Sequence, residues 1–162
     1  MRQSRSRALS IGCSLLLFSA GLAAQTLQVI DEAGHSTAVA AAQIARLARV
    51  TIEVKYHETP AKFEGVALSV LLSSAGVQLG DKLRGPRLTE ALLVEAVDGY
   101  KVLFALAELD PAFATREIIL ADTRDGKPLD AKEGPFRVVA PGDKRPARWI
   151  RQVTSMKIVA VR

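Results

Sequence analysis

The stretch "IILADTRDGKPLDAKEGPFRVVAPGD", residues 118–143, decides the fold. Its apolar runs, in residues 116–122 and 135–141, each predict a strand because aliphatic and β-branched side chains favour extended backbone. Between them, Asp125-Gly126 predicts a tight turn, since glycine readily adopts the left-handed conformation that such turns need. A strand, a turn and a second strand in one short stretch indicate a domain rich in β-sheet.

Strands dominate the rest of the chain as well. Residues 50–55 alternate strictly, with Val50, Ile52 and Val54 on one face, as in a half-buried strand. Residues 91–106 predict a hairpin, and we interpret its Asp98-Gly99 link as a type I′ turn. Further strands are predicted at residues 27–31, 35–39 and 156–161, short helices at 40–48, 66–76 and 106–110, and a loop at 56–65.

These elements predict an α+β fold that is mostly β. We expect a mixed, curved sheet with short helices between its strands, rather than a doubly wound sheet. Gly76 is well placed to end the middle helix in a left-handed conformation. Because no internal repeat or linker divides the chain, we expect one domain over residues 25–162.

Residues 1–24 have the pattern of a secretory signal peptide. Arginines at positions 2, 5 and 7 precede an apolar run from Ile11 to Leu22, and the small residues Ala23 and Ala24 follow. The run is too short to span a membrane, and polar sequence follows it, so we expect no transmembrane span in the mature chain. We expect cleavage near Ala24, with Ala23 as the alternative, and a periplasmic or secreted protein. The competing interpretation is a retained N-terminal anchor.

Removal of this leader changes the charge and the cysteine content. The formal net charge falls from +5 to +2, because three arginines and no acidic residue leave. The remaining charge does not favour a nucleic-acid partner, and we expect Phe63, Phe104, Phe113 and Phe136 to lie in the core rather than to form a base-stacking platform. The single cysteine, Cys13, leaves with the leader, so the mature chain has no disulfide and no thiolate for a metal.

Four segments, in this order, resemble the molybdopterin-binding domain of the sulfite oxidase family. They are "FEGVALSVLLSSAG" (63–76), "VEAVDGYKVLFALAELDP" (94–111), the 118–143 stretch, and "RWIRQVTSMKI" (148–158). The chain looks most like small, single-domain secreted bacterial members. The resemblance implies the α+β fold described above and a molybdopterin cofactor.

The resemblance also implies where a metal ligand would lie. Larger family members hold molybdenum through the pterin dithiolene and one cysteine, on the loop just before the G-V-x-L helix. The corresponding stretch, "KYHETPAKFEG" (55–65), contains no cysteine. We therefore expect no metal ligand, and ordinary sulfite oxidase chemistry is not expected without that soft ligand.

The basic segment "PGDKRPARWIRQV" (141–153) is the candidate anion site. Arg148 falls where the family places a basic residue near the cofactor phosphate, and an arginine fork can hold phosphate with two hydrogen bonds. We expect Arg137, Lys144 or Arg145 as further donors, with Arg137 facing away from the core, and little loss of stability when Arg148 is removed. The alternative is a solvated basic face that pairs with Asp143 and Glu133.

Two further residues have open roles. His57 lies on the loop that carries the metal cysteine in larger relatives, so it is a candidate ligand contact or proton donor on the wall opposite Arg148. Since one histidine without partners specifies little, the plainer interpretation is a partly exposed loop histidine. Trp149 is interpreted as a large core or rim side chain, with ligand stacking as the alternative.

Three functions compete, and no catalytic residue is assigned. The first is a molybdopterin-dependent oxidoreductase, or its accessory subunit, in the periplasm. The second is a binding module, or degenerate oxidoreductase, that keeps the fold, lacks the cysteine ligand, and binds a small anion, the pterin cofactor or a protein. The third is a structural factor of the cell envelope with a stable protein partner.

Overall fold

The structure is a computed structural model that describes residues 25–56 and 58–160. The predicted signal peptide and the candidate residue His57 lie outside the described residues. The described residues contain ten strands and three short α-helices. The strands are β1 (Thr26–Ile30), β2 (Ser36–Ala40), β3 (Arg49–Tyr56), β4 (Thr59–Ala67), β5 (Glu90–Ala96), β6 (Lys101–Ala105), β7 (Ile119–Arg124), β8 (Lys127–Pro128), β9 (Arg137–Val139) and β10 (Val153–Ala160). The helices are α1 (Ala41–Ile44), α2 (Leu68–Ser74) and α3 (Leu106–Leu109).

The strands form two sheets rather than the single curved sheet that we expected. The first has the order β2-β1-β10-β5-β6, and the second has the order β3-β4-β7-β8 with β9 also paired to β7. Only β1 and β10 run parallel in these pairings, so the mostly β, mixed character of the prediction is confirmed. One cluster of buried apolar side chains draws from both sheets and from α2.

The chain turns at both predicted positions, but the turn at Asp98-Gly99 is not of the expected type I′. Asp125 and Gly126 both have positive φ, 50° and 74°, as a type I′ turn requires. In the β5–β6 hairpin, Gly99 has φ 81° but Asp98 does not enter the left-handed region, so its type I′ interpretation is wrong. The reason is that the Ala96 N–H donates to the Tyr100 carbonyl at 2.9 Å, so the loop has three residues, 97–99, and a three-residue loop needs a left-handed conformation only at its last residue.

The predicted loop at residues 56–65 is wrong, because most of it forms β4. Alternate side chains, including Ala61 and Phe63, point into the core, and Pro60 lies near the start of the strand, where proline is tolerated. Gly65 packs against β7 beside a register shift. A Cβ at this position would overlap the Leu120 carbonyl oxygen and lie 2.6 Å from the Ala121 Cα, which explains the glycine.

The core follows the prediction with one exception. Three of the four phenylalanines expected there are buried, whereas Phe113 is 52% exposed after α3. Gly76 ends α2 with φ 95°, as expected. Among the described residues, no helix has the length and apolar character needed to cross a membrane.

Candidate functional site around Trp149

Arg148 fastens the basic segment to the rest of the fold. Its Nε and Nη2 atoms donate to the two carboxylate oxygens of Asp143 at 3.0 and 2.8 Å, and its Nη1 donates to Glu108 at 3.0 Å. Its guanidinium carbon also lies 4.7 Å from the centroid of Phe104, within cation–π range. All three nitrogens of the predicted phosphate-binding arginine are therefore already engaged by carboxylates.

Arg116 completes this ion-pair cluster. It donates to Glu108 at 2.6 Å and to Asp143 at 3.3 Å, so two arginines and two carboxylates alternate around a ring. The hydrogen bond to Asp143 raises the pKa of the Arg148 guanidinium, which burial alone would lower, and Glu108 adds to the increase. This arrangement matches the alternative of a paired basic face for Arg148. A contact between Arg148 and an anion stays a prediction.

Two clefts flank the short 3-10 turn that precedes Trp149. The first, which we call the tyrosine cleft, has a volume of about 420 Å³, and its walls include Tyr56, Asp98, Tyr100, Pro146, Trp149 and Arg151. The second, the lysine cleft, has a volume of about 420 Å³ and is lined by Lys55, Glu58, Asp143, Lys144, Pro146 and Trp149. Because Pro146 and Trp149 line both, the clefts are neighbours on one surface. They lie between the end of β3 and the basic segment, where a pocket is expected.

Stacked aromatic rings form the floor of the tyrosine cleft. Tyr56 and Trp149 stack at 5.6 Å with an interplanar angle of 10°, and Phe63 meets both edge-on at about 6 Å. Trp149 is only 6% exposed, and its Nε1 donates to the Ala140 carbonyl at 2.8 Å. The expectation that Trp149 is a core or rim side chain is confirmed. The edge that remains accessible lines both clefts.

Arg137 lies beneath this floor, so the expectation that it faces away from the core is wrong. The residue is 0% exposed, its Nη1 donates to Glu133 at 2.7 Å, and its guanidinium carbon lies 4.7 Å from the Tyr56 centroid. Strand β9 is buried on both faces, because the aromatic rings cover the face that alternation assigns to solvent. Arg137 lines neither cleft and supports the floor instead.

Hydrogen bonds to backbone carbonyls fix the walls of the tyrosine cleft. The Tyr100 hydroxyl donates to the Ala147 carbonyl at 3.0 Å and ties the β5–β6 hairpin to the basic segment. Gln152 has φ 51°, and its side-chain amide donates to the Ala131 carbonyl at 2.7 Å. Its backbone N–H also donates to the Glu133 carbonyl at 3.0 Å. The cleft is therefore bounded by segments that hydrogen-bond one another.

The uncommitted positive charge at these clefts lies on residues other than Arg148. Lys55, Lys144 and Arg151 are exposed, and within the described part of the chain none of them has an acidic partner within 4 Å. Asp143 is the acidic residue nearest to Lys144 in sequence, but its carboxylate already accepts hydrogen bonds from two arginines. The clefts thus present cations next to accessible aromatic edges.

Of the predicted site residues that the structure describes, only Lys144 lies in a cleft together with Trp149. Arg145 is exposed and lines neither cleft, and Arg148 and Arg137 make the contacts described above. Sequence reasoning missed Lys55, Tyr56 and Tyr100 as wall residues, and it assigned no role to Arg151 although Arg151 belongs to the basic segment. Tyr56 follows a strictly alternating strand, and an aromatic residue at a strand end was the available signal.

A larger cleft, of about 800 Å³, lies beside α1. Its walls include four alanines and the carboxylates of Asp122 and Asp130, and no basic side chain of the described residues lines it. Size alone would favour this cleft as a binding site, but its charge does not suit an anion. The Trp149 clefts are therefore the better candidate.

Comparison with known proteins places the chain in a family. The profile of the oxidoreductase molybdopterin binding domain matches residues 26–160. The chain belongs to this family. The resemblance inferred from the sequence motifs is confirmed. A search of curated proteins finds no match.

A solved structure shows the same fold. A chain of the sulfane dehydrogenase SoxCD from Paracoccus pantotrophus superposes with a TM-score of 0.64 at 19% sequence identity, covering 84% of the present chain. The present chain spans 39% of the length of that chain. At this identity the likeness shows the fold alone, and the predicted fold class is confirmed.

The family description raises the question of whether the described residues suit a molybdopterin metal centre. The described residues contain no cysteine, and no group of three or more His, Cys, Asp or Glu side chains among them could hold a metal. A thiolate is the protein ligand that such a soft, dithiolene-bound metal prefers. The donor set present therefore does not fit the metal centre, whereas cations beside aromatic edges fit an anionic organic group.

Proposed function

We propose that this chain is a ligand-binding module that uses the family fold without a metal centre and takes a small anionic ligand at the Trp149 clefts. The observation that carries the proposal is the placement of Lys144 and Arg151 on either side of Trp149, each with its charge unpaired within the described residues. The volume of each cleft falls within the usual range for small-molecule sites, about 300–1,000 Å³.

The clefts favour a ligand with two features. A flat, unsaturated portion can lie against the edges of Tyr56 and Trp149, because the contact buries apolar area and because the positive edge of an aromatic ring attracts the negative face of another ring. A phosphate, sulfate or carboxylate can be held by Lys144 or Arg151 through charge-assisted hydrogen bonds. A pterin phosphate has both features, and so do other aromatic phosphates and carboxylates.

The ligand class is tested by calorimetry with a graded panel. Inorganic phosphate and sulfate report on the anion alone, aromatic phosphates and carboxylates add the ring, and a pterin phosphate adds the cofactor's own ring system. We expect binding that strengthens when ring and anion are joined in one molecule. Equal, negligible heats for every member of the panel would contradict a small-anion ligand.

Family membership favours a second candidate, an active molybdopterin-dependent oxidoreductase or its accessory subunit. Purification from a host that makes the cofactor separates the two functions. Release of a stoichiometric pterin on denaturation, together with stoichiometric molybdenum, would replace the module proposal with the enzyme. Pterin without molybdenum would instead make the pterin the ligand of the module.

We place this module in the periplasm, on the pattern of residues 1–24. A structural envelope factor without a small ligand is the remaining alternative. That alternative predicts a stable protein partner in envelope extracts together with no response to the ligand panel, so the same calorimetry separates it from the proposal.

A further inference from the structure

Strand β3 is the longest edge strand among the described residues. It runs over eight residues and pairs with β4 on one side only, without a register shift from Arg49 to Tyr56. The opposite edge of the same sheet is β8, which has two residues and contains a proline. Proteins usually protect edges by shortness, proline, bulges or charged side chains, and of these β3 has only the charges of Arg49, Glu53 and Lys55.

The side chains of β3 are arranged so that the strand can pair with a copy of itself. Val50, Ile52, Val54 and Tyr56 on the inner face are only partly buried, while Glu53 and Lys55 on the outer face are exposed. Within the described residues, neither Glu53 nor Lys55 has a salt-bridge partner within 4 Å. An additional strand would cover the inner apolar side chains and offer partners to the two charges.

The charge pattern selects one register for such self-pairing. Antiparallel pairing about a two-fold axis at Val54 places Glu53 of each copy opposite Lys55 of the other, and Ile52 opposite Tyr56. An axis at Glu53 or at Lys55 would oppose like charges, and one at Ile52 would place Arg49 opposite Lys55. A shift by one residue would turn inner side chains outward.

An axis at Thr51 would also oppose unlike charges, Arg49 and Glu53. Arg49, however, is already held by Asp122 through two hydrogen bonds of 2.6 and 2.7 Å, and the Lys55 charge would stay unmatched. The axis at Val54 is therefore the register in which both free charges find partners.

We infer that two copies of this chain associate through β3, in antiparallel register about Val54, to form a continuous sheet across the dimer. The inference is tested independently of the ligand proposal, although Lys55 and Tyr56 of this strand also line the clefts. Lys55 belongs to both surfaces, so Glu53→Lys is the variant with which ligand binding is compared.

Sedimentation velocity over a broad concentration range tests the inference. The wild type should show a concentration-dependent dimer. Glu53→Lys and Lys55→Glu should each weaken self-association by about tenfold or more, because two attractive pairs become repulsive. An equimolar mixture of the two variants should restore the dimer, since positions 53 and 55 are both positive in one variant and both negative in the other. The double variant should also dimerise, because it only exchanges the two charges.

The exposed charge reversal Lys157→Glu, on the other sheet, is the matched control and should leave the dimer unchanged. A wild type that stays monomeric throughout would overturn the inference. A mixture that fails to restore association would also overturn the inference. The comparison isolates the charge pairing, because each variant has the same folding stability in the mixture as it has alone. Dimers of unchanged strength in both single variants would place the interface on another surface and would also overturn it.

Discussion

Arg148 holds Asp143 through two hydrogen bonds, from Nε to Oδ2 at 3.0 Å and from Nη2 to Oδ1 at 2.8 Å. This pair closes the turn that begins at Pro141-Gly142 and leaves Lys144 pointing to a cleft with Trp149. Arg148, which was expected to bind a ligand, thus shapes the basic segment. Lys144 and Arg151 carry the charges that have no acidic partner within the described residues. The basic segment combines a structural arginine with exposed cations at the two clefts.

The first prediction concerns the stability contributed by Arg148. Arg148→Ala removes the hydrogen bonds to Asp143 and Glu108 and the packing against Phe104, so we expect a loss of about 1–2 kcal/mol in the free energy of unfolding. The value is modest because a third of the side chain is exposed to solvent, at 33%. Urea denaturation measures it.

Arg145→Ala is the matched control, because it removes one exposed arginine of the same segment that lines neither cleft. Arg148→Lys should lose part of the stability, since an ammonium cannot reproduce the two-pronged contact with Asp143. Equal stability of the Arg148→Ala and Arg145→Ala variants would contradict this prediction. It would support the small effect on stability that the sequence analysis expects for Arg148.

The second prediction concerns the glycine of the "FEG" motif. Gly65→Ala places a methyl group against the backbone of Leu120 and Ala121, and backbone cannot move aside as a flexible side chain can. We expect a loss of at least about 2–3 kcal/mol, seen as a lower thermal midpoint or as insoluble protein. Gly34→Ala, in an open turn with φ 88°, should cost only about 1 kcal/mol. Similar melting of the two variants would rule out a close strand approach at residue 65.

The third prediction concerns acid sensitivity through Asp122. Burial raises the pKa of its carboxyl, but the hydrogen bonds from Arg49 and Thr123 outweigh burial and leave the pKa below its ordinary value of 3.8. A lowered folded-state pKa contributes stability that is present above the ordinary value and is lost as pH falls through the folded-state value. The Arg49–Asp122 pair should therefore stabilise the protein at neutral pH and lose this stabilising effect in acid.

The measurement is the difference in unfolding free energy between wild type and Arg49→Met as a function of pH. We expect a constant difference from neutral pH to about pH 5, and a difference that shrinks below about pH 4. Asp122→Asn removes the titrating group and should flatten this part of the profile. A wild-type advantage that persists unchanged into strong acid would show that the pair does not titrate as described.

The fourth prediction concerns export. Intact mass of protein recovered from the periplasm should correspond to a chain that begins near Gln25, because residues 1–24 have the pattern of a cleaved leader. A periplasmic species that retains the arginines at positions 2, 5 and 7 would contradict cleavage. Protein found only in the cytoplasm would contradict export.

Sequence patterns predicted most strands because alternation and turn chemistry are local properties. The buried leucines of α2 and the turn at Asp125-Gly126 follow from such local rules. Strand β4 was missed because its charged residues and Pro60 obscure the alternation of Ala61 and Phe63, and only its position between β3 and β7 makes it a strand.

The candidate site was harder to predict because its residues are selected by contacts between distant segments. Arg137 was expected to face away from the core, since alternation cannot reveal that Tyr56 and Phe63 cover that side of β9. Arg148 was predicted to bind a ligand because its partner Glu108 lies 40 positions away in the sequence, and no local signal joins the two residues. Lys144 lies at a cleft close to the turn at Pro141-Gly142, and its contact with an anion stays a prediction.

The most direct test of the ligand proposal uses Trp149 itself, the only tryptophan of the chain and a wall of both clefts. Its fluorescence is titrated with the aromatic phosphates and carboxylates of the ligand panel in wild type, Lys144→Ala, Arg151→Ala and the control Arg145→Ala. We expect a saturable change in wild type and control, with binding about tenfold weaker in at least one of the two cleft variants. Saturable binding that is the same in all four proteins, or no change in any of them, would contradict an anion site at Trp149.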